Sequence, residues 1–294
     1  MVAGEVGRPG IRGPGKYALL GFPVRHSVSP QMQGAAFRWA GIPASYELIE
    51  VPPDQLGAVV ARLRDQAYAG WNVTVPHKEN VLNCVDEVTP EARAAGSVNT
   101  VVNRDGILRG HSTDGYGLEA AVRESFGLDV PGRRFLFVGA GGAARATAVW
   151  FAQLGAAEVR IVNRTLGKAE RIAERIRAVA PGCTVRCVAG AEPAGVVSAL
   201  SGVDVVIQAT SLGLHADDPL PLDVALLLPG MAVMDMIYRR TPFLLEAARR
   251  GCRIADGRGM LLHQGARSFE LWTGCSAPVA EMRAGLEAAV AARA

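Results

Sequence analysis

Short apolar runs alternate with longer amphipathic stretches along most of the chain. In the first part the runs are "YALLG" (17–21), "SYELIEV" (45–51), "GWNVTVP" (70–76) and "SVNTVVN" (97–103). Their length and their Val, Ile and Tyr content predict strands. Helices are predicted between them, at about 30–40, 54–67, 78–84 and 90–95, followed by one over 113–127. A second part opens at "RRFLFVGAGGAARATAVWFAQLG" (133–155). It continues with "EVRIVNRT" (158–165), a charged helix at 167–179, "TVRCV" (184–188), "DVVIQAT" (204–210) and "AVMDMIY" (232–238). Strands separated by helices predict an α/β fold with parallel sheets, doubly wound in the second part. In "GMLLHQGARSFELWTG" (259–274), Leu262, Ala266, Phe269 and Trp272 recur at helical steps and predict a last amphipathic helix.

At 294 residues the chain is expected to form one large domain or two ordinary ones. Residues 1–16 are rich in Gly and Pro, nearly free of large apolar groups, and are expected to be a disordered tail. No apolar segment that would mark a secretory signal follows Met1. The net charge of +3, without basic blocks, gives no reason to expect nucleic acid as a partner. No apolar run is long enough to expect a membrane span. Five cysteines, an odd number without a C-x-x-C pair, fit free thiols in a reducing cytoplasm. The histidine spacing gives no reason to expect a metal.

The strand "FLFV" runs into Gly139, Ala140, Gly141, Gly142, Ala143 and Ala144, a G-x-G-x-x-A turn before a helix. Gly139 suits the tight turn and Gly141 lets a pyrophosphate approach the backbone. Ala144 lets the helix pack closely on the sheet. The ribose-reading position is expected at the end of the next strand, where Asn163, Arg164 and Thr165 stand, with Lys168 one turn further on. A neutral residue followed by two cations and a hydroxyl suits a 2′-phosphate, so NADP is expected rather than NAD. The alternative is that Arg164 and Lys168 only decorate a helix start. Cations there oppose the helix dipole, which favours an anionic ligand as the reason for them.

In the first part, Asn72 and Thr74 alternate with Val73 and Val75, which would put both polar groups on one face of a strand. Lys78 lies just beyond Pro76, Asn99 lies in "SVNT", and Asp114 lies in "HSTDGYG". Each has an alternative use. The asparagines can satisfy buried backbone, Lys78 can be solvated, and Asp114 can cap the following helix. Ser27 and Ser29, in "HSVSP", stand where a helix begins and can cap it or bind an oxygen-rich ligand.

Taken together, "HSVSP", "NVTVPHK", "SVNT", "STDGYG", "GAGGAARA", "NRTLGKA", "ATSLG" and "DGRGMLLHQGARSFELWTG" resemble the shikimate dehydrogenase family, in the family's order. The resemblance implies a substrate-binding catalytic domain over 17–114, completed by 258–294, and a Rossmann-type NADP-binding domain over 115–257. A C-terminal helix would return to the first domain. It implies that Ser27 and Ser29 hold the substrate carboxylate and that Asn72, Thr74, Asn99 and Gln264 bind its polar groups, with Tyr238 nearby. Lys78 and Asp114 would form the catalytic pair. Gly139 to Ala143, Asn163 to Lys168, Thr210, Met236 and Gly257 would contact the cofactor. The activity implied is reversible NADPH-dependent reduction of 3-dehydroshikimate to shikimate, within aromatic amino acid biosynthesis, by a monomer or homodimer. Quinate and aminoshikimate remain alternative substrates, and an NADP-responsive binding module is the non-enzyme alternative. Four positions depart from the family pattern. Ser112 and Gln208 stand where Asn is usual, and Arg239 and Arg240 replace the more frequent Asn-Pro.

Overall fold

The computed structural model describes residues 15–215 and 217–293. The tail expected at 1–16 therefore lies outside the described residues, except for Gly15 and Lys16, which open the first strand. The described chain forms two compact units. One takes residues 15–88, 98–111 and 265–293, the other Thr89–Ser97 and Ser112–Gln264.

In chain order the elements begin with β1 (Gly15–Gly21), α1 (Ser29–Trp39), β2 (Ala44–Glu50), α2 (Leu56–Asp65), β3 (Gly70–Val73) and β4 (Glu87–Val88). Helix α3 (Pro90–Ala95) belongs to the second unit, and β5 (Thr100–Arg104) and β6 (Ile107–His111) to the first. The second unit continues with α4 (Asp114–Phe126), β7 (Arg134–Val138), α5 (Gly142–Gln153), β8 (Glu158–Asn163), α6 (Leu166–Val179) and β9 (Thr184–Ala189). Then come α7 (Pro193–Leu200), β10 (Val205–Gln208), β11 (Ala232–Asp235), α8 (Pro242–Arg249) and β12 (Arg253–Ala255). Helix α9 (Arg258–Thr273) starts in the second unit and ends in the first, where α10 (Val279–Ala291) also lies.

The first unit holds a sheet in the order β2-β1-β3-β5-β6-β4. β1 runs parallel to β2 and β3, but β5 is antiparallel to both β3 and β6. Parallel pairing throughout, as the alternation predicted, is thus corrected here. The cause is local: Asp105 and Gly106 adopt φ of 53° and 89°, the left-handed pair that a two-residue hairpin turn requires. The helix expected at 78–84 is a short 3-10 turn, Asn80–Cys84. Aromatic packing fills the core. Tyr17 stacks on Phe37 at 4.7 Å and meets Trp272 at 5.0 Å, and Phe37 meets Phe269 at 5.5 Å. The indole of Trp272 also donates to the carbonyl of Val101 at 2.9 Å. The C-terminal segment is therefore part of this core, as the resemblance implied.

The second unit is built on an all-parallel sheet, β12-β11-β10-β7-β8-β9. Helices cover both faces, so the central strands read as continuous apolar runs. Phe135 and Phe137 face one layer, where both meet Phe151 edge-on, and Leu136, Val138 and Val206 face the other. Helix α3 is held to this unit by two arginines. Arg145 of α5 donates to the carbonyls of Ala95 (2.9 Å) and Gly96 (3.0 Å), and Arg175 of α6 donates to Ala94 (2.9 Å). By packing, Thr89–Ser97, Ser112–Asp114 and 258–264 thus go with the second unit. Because the strands are parallel, the loops after β7, β8, β10 and β11 collect at one end of the sheet. No helix among the described residues is long and apolar enough to cross a membrane. All five cysteines are free thiols.

Candidate active site

At the end of β7, Gly139 adopts φ of 111°, a conformation that suits glycine. A Cβ there would meet Thr210 Cγ2 at 2.7 Å, so the loops after β7 and β10 touch at these two residues. Gly141 and Gly142 are different: a Cβ on either would meet nothing within 4 Å. Their backbone borders open space at the start of α5, and no side chain caps that helix. Its first N–H groups and its dipole are available to an anion. Ala140 and Ala143 are half-buried, and Ala144 is fully buried against the sheet.

After β8, Asn163 donates its amide to the carbonyl of Thr165 at 2.7 Å, which shapes the turn into α6. Arg164, Thr165 and Lys168 are exposed there, with no acidic residue in the first turn of the helix. Two exposed cations beside an open glycine cradle fit a dinucleotide carrying an extra phosphate.

Two buried polar side chains shape the loops after β10 and β11. Gln208, paired in register with Asp235, accepts from the N–H of Thr210 at 2.5 Å and donates to the carbonyl of Leu212 at 2.9 Å. Gln208 thus reaches across the turn that carries Thr210. Arg239 donates to the carbonyls of Gly213, at 2.7 Å, and Leu214, which ties this loop to the Tyr238 loop. Asp235 accepts from the N–H of Ile237 (2.9 Å) and the hydroxyl of Thr241 (2.7 Å) and so sets the course of Met236 and Tyr238. Met236 is half-buried and Tyr238 is exposed. Gly257 packs against this loop so closely that a Cβ would stand 2.1 Å from the Met236 carbonyl oxygen.

Burial pushes the Asp235 carboxyl up from 3.8 to about 6. The Ile237 N–H and the Thr241 hydroxyl oppose the shift, Asp256 adds to it, and Gln208 opposes it. The native state therefore binds this proton more tightly than the unfolded chain. The stability so gained is fully present below the unfolded value of 3.8 and is lost as pH rises through about 6. Asp235→Asn carries no charge at any pH and is expected to escape that loss. Relative to wild type, its unfolding free energy in urea should gain about 2–3 kcal/mol between pH 4 and 7.

The polar residues of the first unit gather at the ends of β1 and β3. Asn72, buried on β3, is the hub. Its carbonyl oxygen accepts from the Tyr46 hydroxyl at 2.8 Å, and its two amide hydrogens are shared among Asn99 O (3.1 Å), Thr100 Oγ1 (3.1 Å) and Ser268 Oγ (3.0 Å). Burial pushes the Tyr46 phenol up, and a hydrogen bond with Ser29 opposes the shift. Tyr46 thus links Asn72 to the serine turn. Thr74 follows directly after β3 and packs its methyl against Gly21 at the end of β1. Buried His77 hydrogen-bonds the Val51 carbonyl at 2.6 Å and anchors the chain beside half-buried Lys78. The Lys78 carbonyl accepts from Val98 N–H at 2.8 Å, next to buried Asn99.

Ser29 is the first residue of α1, and its side chain does not cap the helix. The capping role expected for it is corrected: Val28 holds the N-cap position, and Ser27 Oγ accepts from the N–H of Ser29 at 3.2 Å. The two hydroxyls lie 3.1 Å apart, with Ser27 donating to Ser29.

Asp114 and Gln264 both belong to the second unit. Asp114 is buried and opens α4 rather than capping it, since Thr113 holds the N-cap position. One turn on, a Cβ at Gly117 would meet Gln264 Cβ at 2.7 Å. The Gln264 amide donates to the Leu261 carbonyl at 2.8 Å. Sequence reasoning missed Tyr46, Thr100 and Ser268. Ser268 was within reach as a signal, since it follows Gln264 by four residues and shares its face of α9.

Three family models match the chain: the shikimate dehydrogenase substrate binding domain over residues 19–101, shikimate / quinate 5-dehydrogenase over 120–215, and the shikimate 5′-dehydrogenase C-terminal domain over 257–287. A shikimate dehydrogenase (NADP(+)) of Geobacillus kaustophilus is 44% identical over 88% of this chain and 92% of its own length. The chain belongs to the shikimate dehydrogenase family. Among solved members of the same fold, the shikimate 5-dehydrogenase of Thermus thermophilus in complex with NADP(H) and shikimate superposes with a TM-score of 0.82. It is 33% identical and covers 94% of this chain and 99% of its own. The 5-ketofructose reductase of a Gluconobacter strain superposes with a TM-score of 0.84 at 34% identity, over 95% of this chain and 99% of its own. Proteins of this fold thus carry different names for the ketone they reduce, and fold alone does not choose it.

Proposed function

We propose that the protein catalyses the reversible NADP-dependent reduction of 3-dehydroshikimate to shikimate. The observation that carries this reading is the 44% identity to an NADP(+) shikimate dehydrogenase over nearly the full length of both chains. The open backbone at Gly141 and Gly142, with Arg164 and Lys168 exposed nearby in the fold, supports NADP as the cofactor.

Ser27 and Ser29 donate to the substrate carboxylate, each charge-assisted bond contributing about 1.5–3 kcal/mol. Asn72, Thr74, Asn99 and Gln264 meet the ring hydroxyls or the carboxylate, and Tyr238 borders the substrate. Asn72 is already held by four partners, so its orientation is set before substrate arrives. A ligand lacking a hydroxyl would leave a buried polar group unpaired, which gives discrimination.

The residues from Gly139 to Ala143, Asn163 to Lys168, Thr210, Met236 and Gly257 hold the cofactor. Bound NADPH supplies the hydride. Lys78 donates a hydrogen bond from Nζ to the C3 ketone oxygen, stabilises the charge that develops there and hands over the proton. In the oxidative direction Lys78 takes the proton back. Asp114 is the second member of the catalytic pair and binds a substrate hydroxyl. By function the substrate domain is 17–114 with 258–294 and the cofactor domain 115–257, although Thr89–Ser97, Ser112–Asp114 and 258–264 pack with the second unit. Free cysteines fit action in the cytoplasm, and the enzyme is read as a monomer or homodimer.

Steady-state oxidation of shikimate and quinate, each with NADP+ and NAD+, tests the reading. The expected order puts shikimate with NADP+ highest in kcat/KM, by at least about tenfold over either single change, because one lost polar contact removes about that much. Quinate rates equal to those with shikimate would move the assignment to a quinate dehydrogenase, and purified protein that binds NADP+ but oxidises neither acid would leave only a binding module.

A further inference from the structure

The turn that carries Ser27 and Ser29 is held from two sides. On one side Glu50, at the end of β2, accepts from Arg25 Nε at 2.7 Å and from Val24 N–H at 3.4 Å. The Val24 carbonyl in turn accepts the Ser27 N–H at 3.0 Å. On the other side stands Arg293, just beyond α10. Its guanidinium donates to the His26 carbonyl at 2.6 Å and to the Ser27 carbonyl at 3.2 Å. The α1 ladder begins at the Val28 carbonyl, which accepts Met32 N–H, so these two carbonyls precede the helical bonds. Helix α10 is itself fixed against α1. A Cβ at Gly285 would meet the Gln31 carbonyl oxygen at 2.8 Å and Ala35 Cβ at 3.0 Å.

We infer that Arg293 is a positioning residue that presents the Ser27 and Ser29 hydroxyls to the substrate carboxylate, an inference that rests on those serines being the carboxylate donors. The guanidinium fork holds two successive carbonyls and so fixes the peptide planes on either side of Ser27 Cα. That sets the direction of the Ser27 side chain, which in turn meets both the N–H and the hydroxyl of Ser29. The fork also puts a permanent positive charge on the carbonyl of a residue that receives an anion. The serines are assigned the substrate carboxylate, not the reacting carbonyl or the cofactor. Losing Arg293 therefore weakens recognition of the acid and leaves the chemical step in place.

The test compares Ser27→Ala, Arg293→Ala, Arg293→Lys and the double variant Ser27→Ala/Arg293→Ala in the full chain, with shikimate and NADP+. Arg293→Ala is expected to raise KM for shikimate about three- to tenfold, the scale of one modest charge-assisted contact. Its kcat and its KM for NADP+ should stay within about twofold of wild type. Arg293→Lys should recover part of the loss, because charge remains but the fork does not. In the Ser27→Ala background Arg293→Ala should add less than about twofold, since both changes act through one hydroxyl. An Arg293→Ala enzyme with wild-type KM for shikimate, beside a Ser27→Ala enzyme with a raised one, would overturn the inference and leave the serine reading standing. Equal losses in shikimate KM, NADP+ KM and kcat would also overturn it, as would full additivity in the double variant. A wild-type KM in Ser27→Ala would overturn the serine reading, and the inference with it.

Discussion

Lys78→Ala is expected to lower kcat about 10³- to 10⁴-fold in both directions while the Kd for NADP+ stays within about twofold of wild type. The size follows from the two tasks placed on one ammonium. In the proposed mechanism it stabilises charge on the C3 oxygen as hydride arrives, and it carries the proton that completes the alcohol. The cofactor is spared because the cradle from Gly139 to Ala143 belongs to the other compact unit. Two nearby anchors are spared as well. Lys78 holds Val98 through its backbone carbonyl, and the neighbouring anchor is His77, buried on the Val51 carbonyl. Alanine keeps both contacts. Stopped-flow reduction of NADP+ by shikimate, beside fluorescence titration of NADP+, measures the two quantities separately. Turnover within about tenfold of wild type would remove Lys78 from the chemistry, since a general acid contributes more than that.

Gly257→Ala is expected to have the second largest effect, on stability and cofactor affinity together. The added Cβ would stand 2.1 Å from the Met236 carbonyl oxygen, 2.5 Å from its carbon and 3.0 Å from the Ile237 carbonyl carbon. These are backbone atoms and cannot rotate away. The Gly257 N–H also donates to the Ile237 carbonyl at 2.9 Å, so the two strands of chain cannot part without losing that bond. Asp235 fixes the other side of the same loop through Ile237 N–H. The loop must move as a whole, at about 3 kcal/mol, the upper part of the range for overpacking. Urea unfolding should register that loss, and the Kd for NADP+ should rise at least about tenfold, because Met236 is on the loop displaced. Unchanged stability with an unchanged Kd would mean that the loop adapts freely and is not a fixed wall of the cofactor site.

The second unit was the more legible half of the sequence. Its central strands β7, β10 and β11 are buried on both faces and read as nearly unbroken apolar runs, and the glycine turn after "FLFV" marks where the first of them ends. The short helix α3 was also visible, but its allegiance was not. Arg145 and Arg175 decide it by reaching carbonyls of residues 94 to 96 from helices that come roughly 50 and 80 residues later. The first unit misled in one respect. "NRDGIL" carries an Asp-Gly hairpin signal, which the strand–helix alternation overrode, so the antiparallel pairing of β5 and β6 went unforeseen. Motif order exposed Asn72 but not why it is rigid. Its partners Tyr46, Thr100 and Ser268 come from β2, β5 and α9, and no local pattern brings them to one point. Ser29 looked like a cap because it precedes Pro30. The backbone places the cap one residue earlier, and the Ser27 side chain serves the Ser29 N–H instead.

The central claim is that one ammonium serves the reacting oxygen of a bound polyhydroxy acid. A crystal structure of the full chain with NADP+ and shikimate both bound measures it directly, through the distance from Lys78 Nζ to the C3 hydroxyl oxygen. The account predicts hydrogen-bond contact, about 2.6–3.2 Å. An ammonium turned to bulk solvent in that ternary complex, with another side chain on the C3 oxygen, would contradict it.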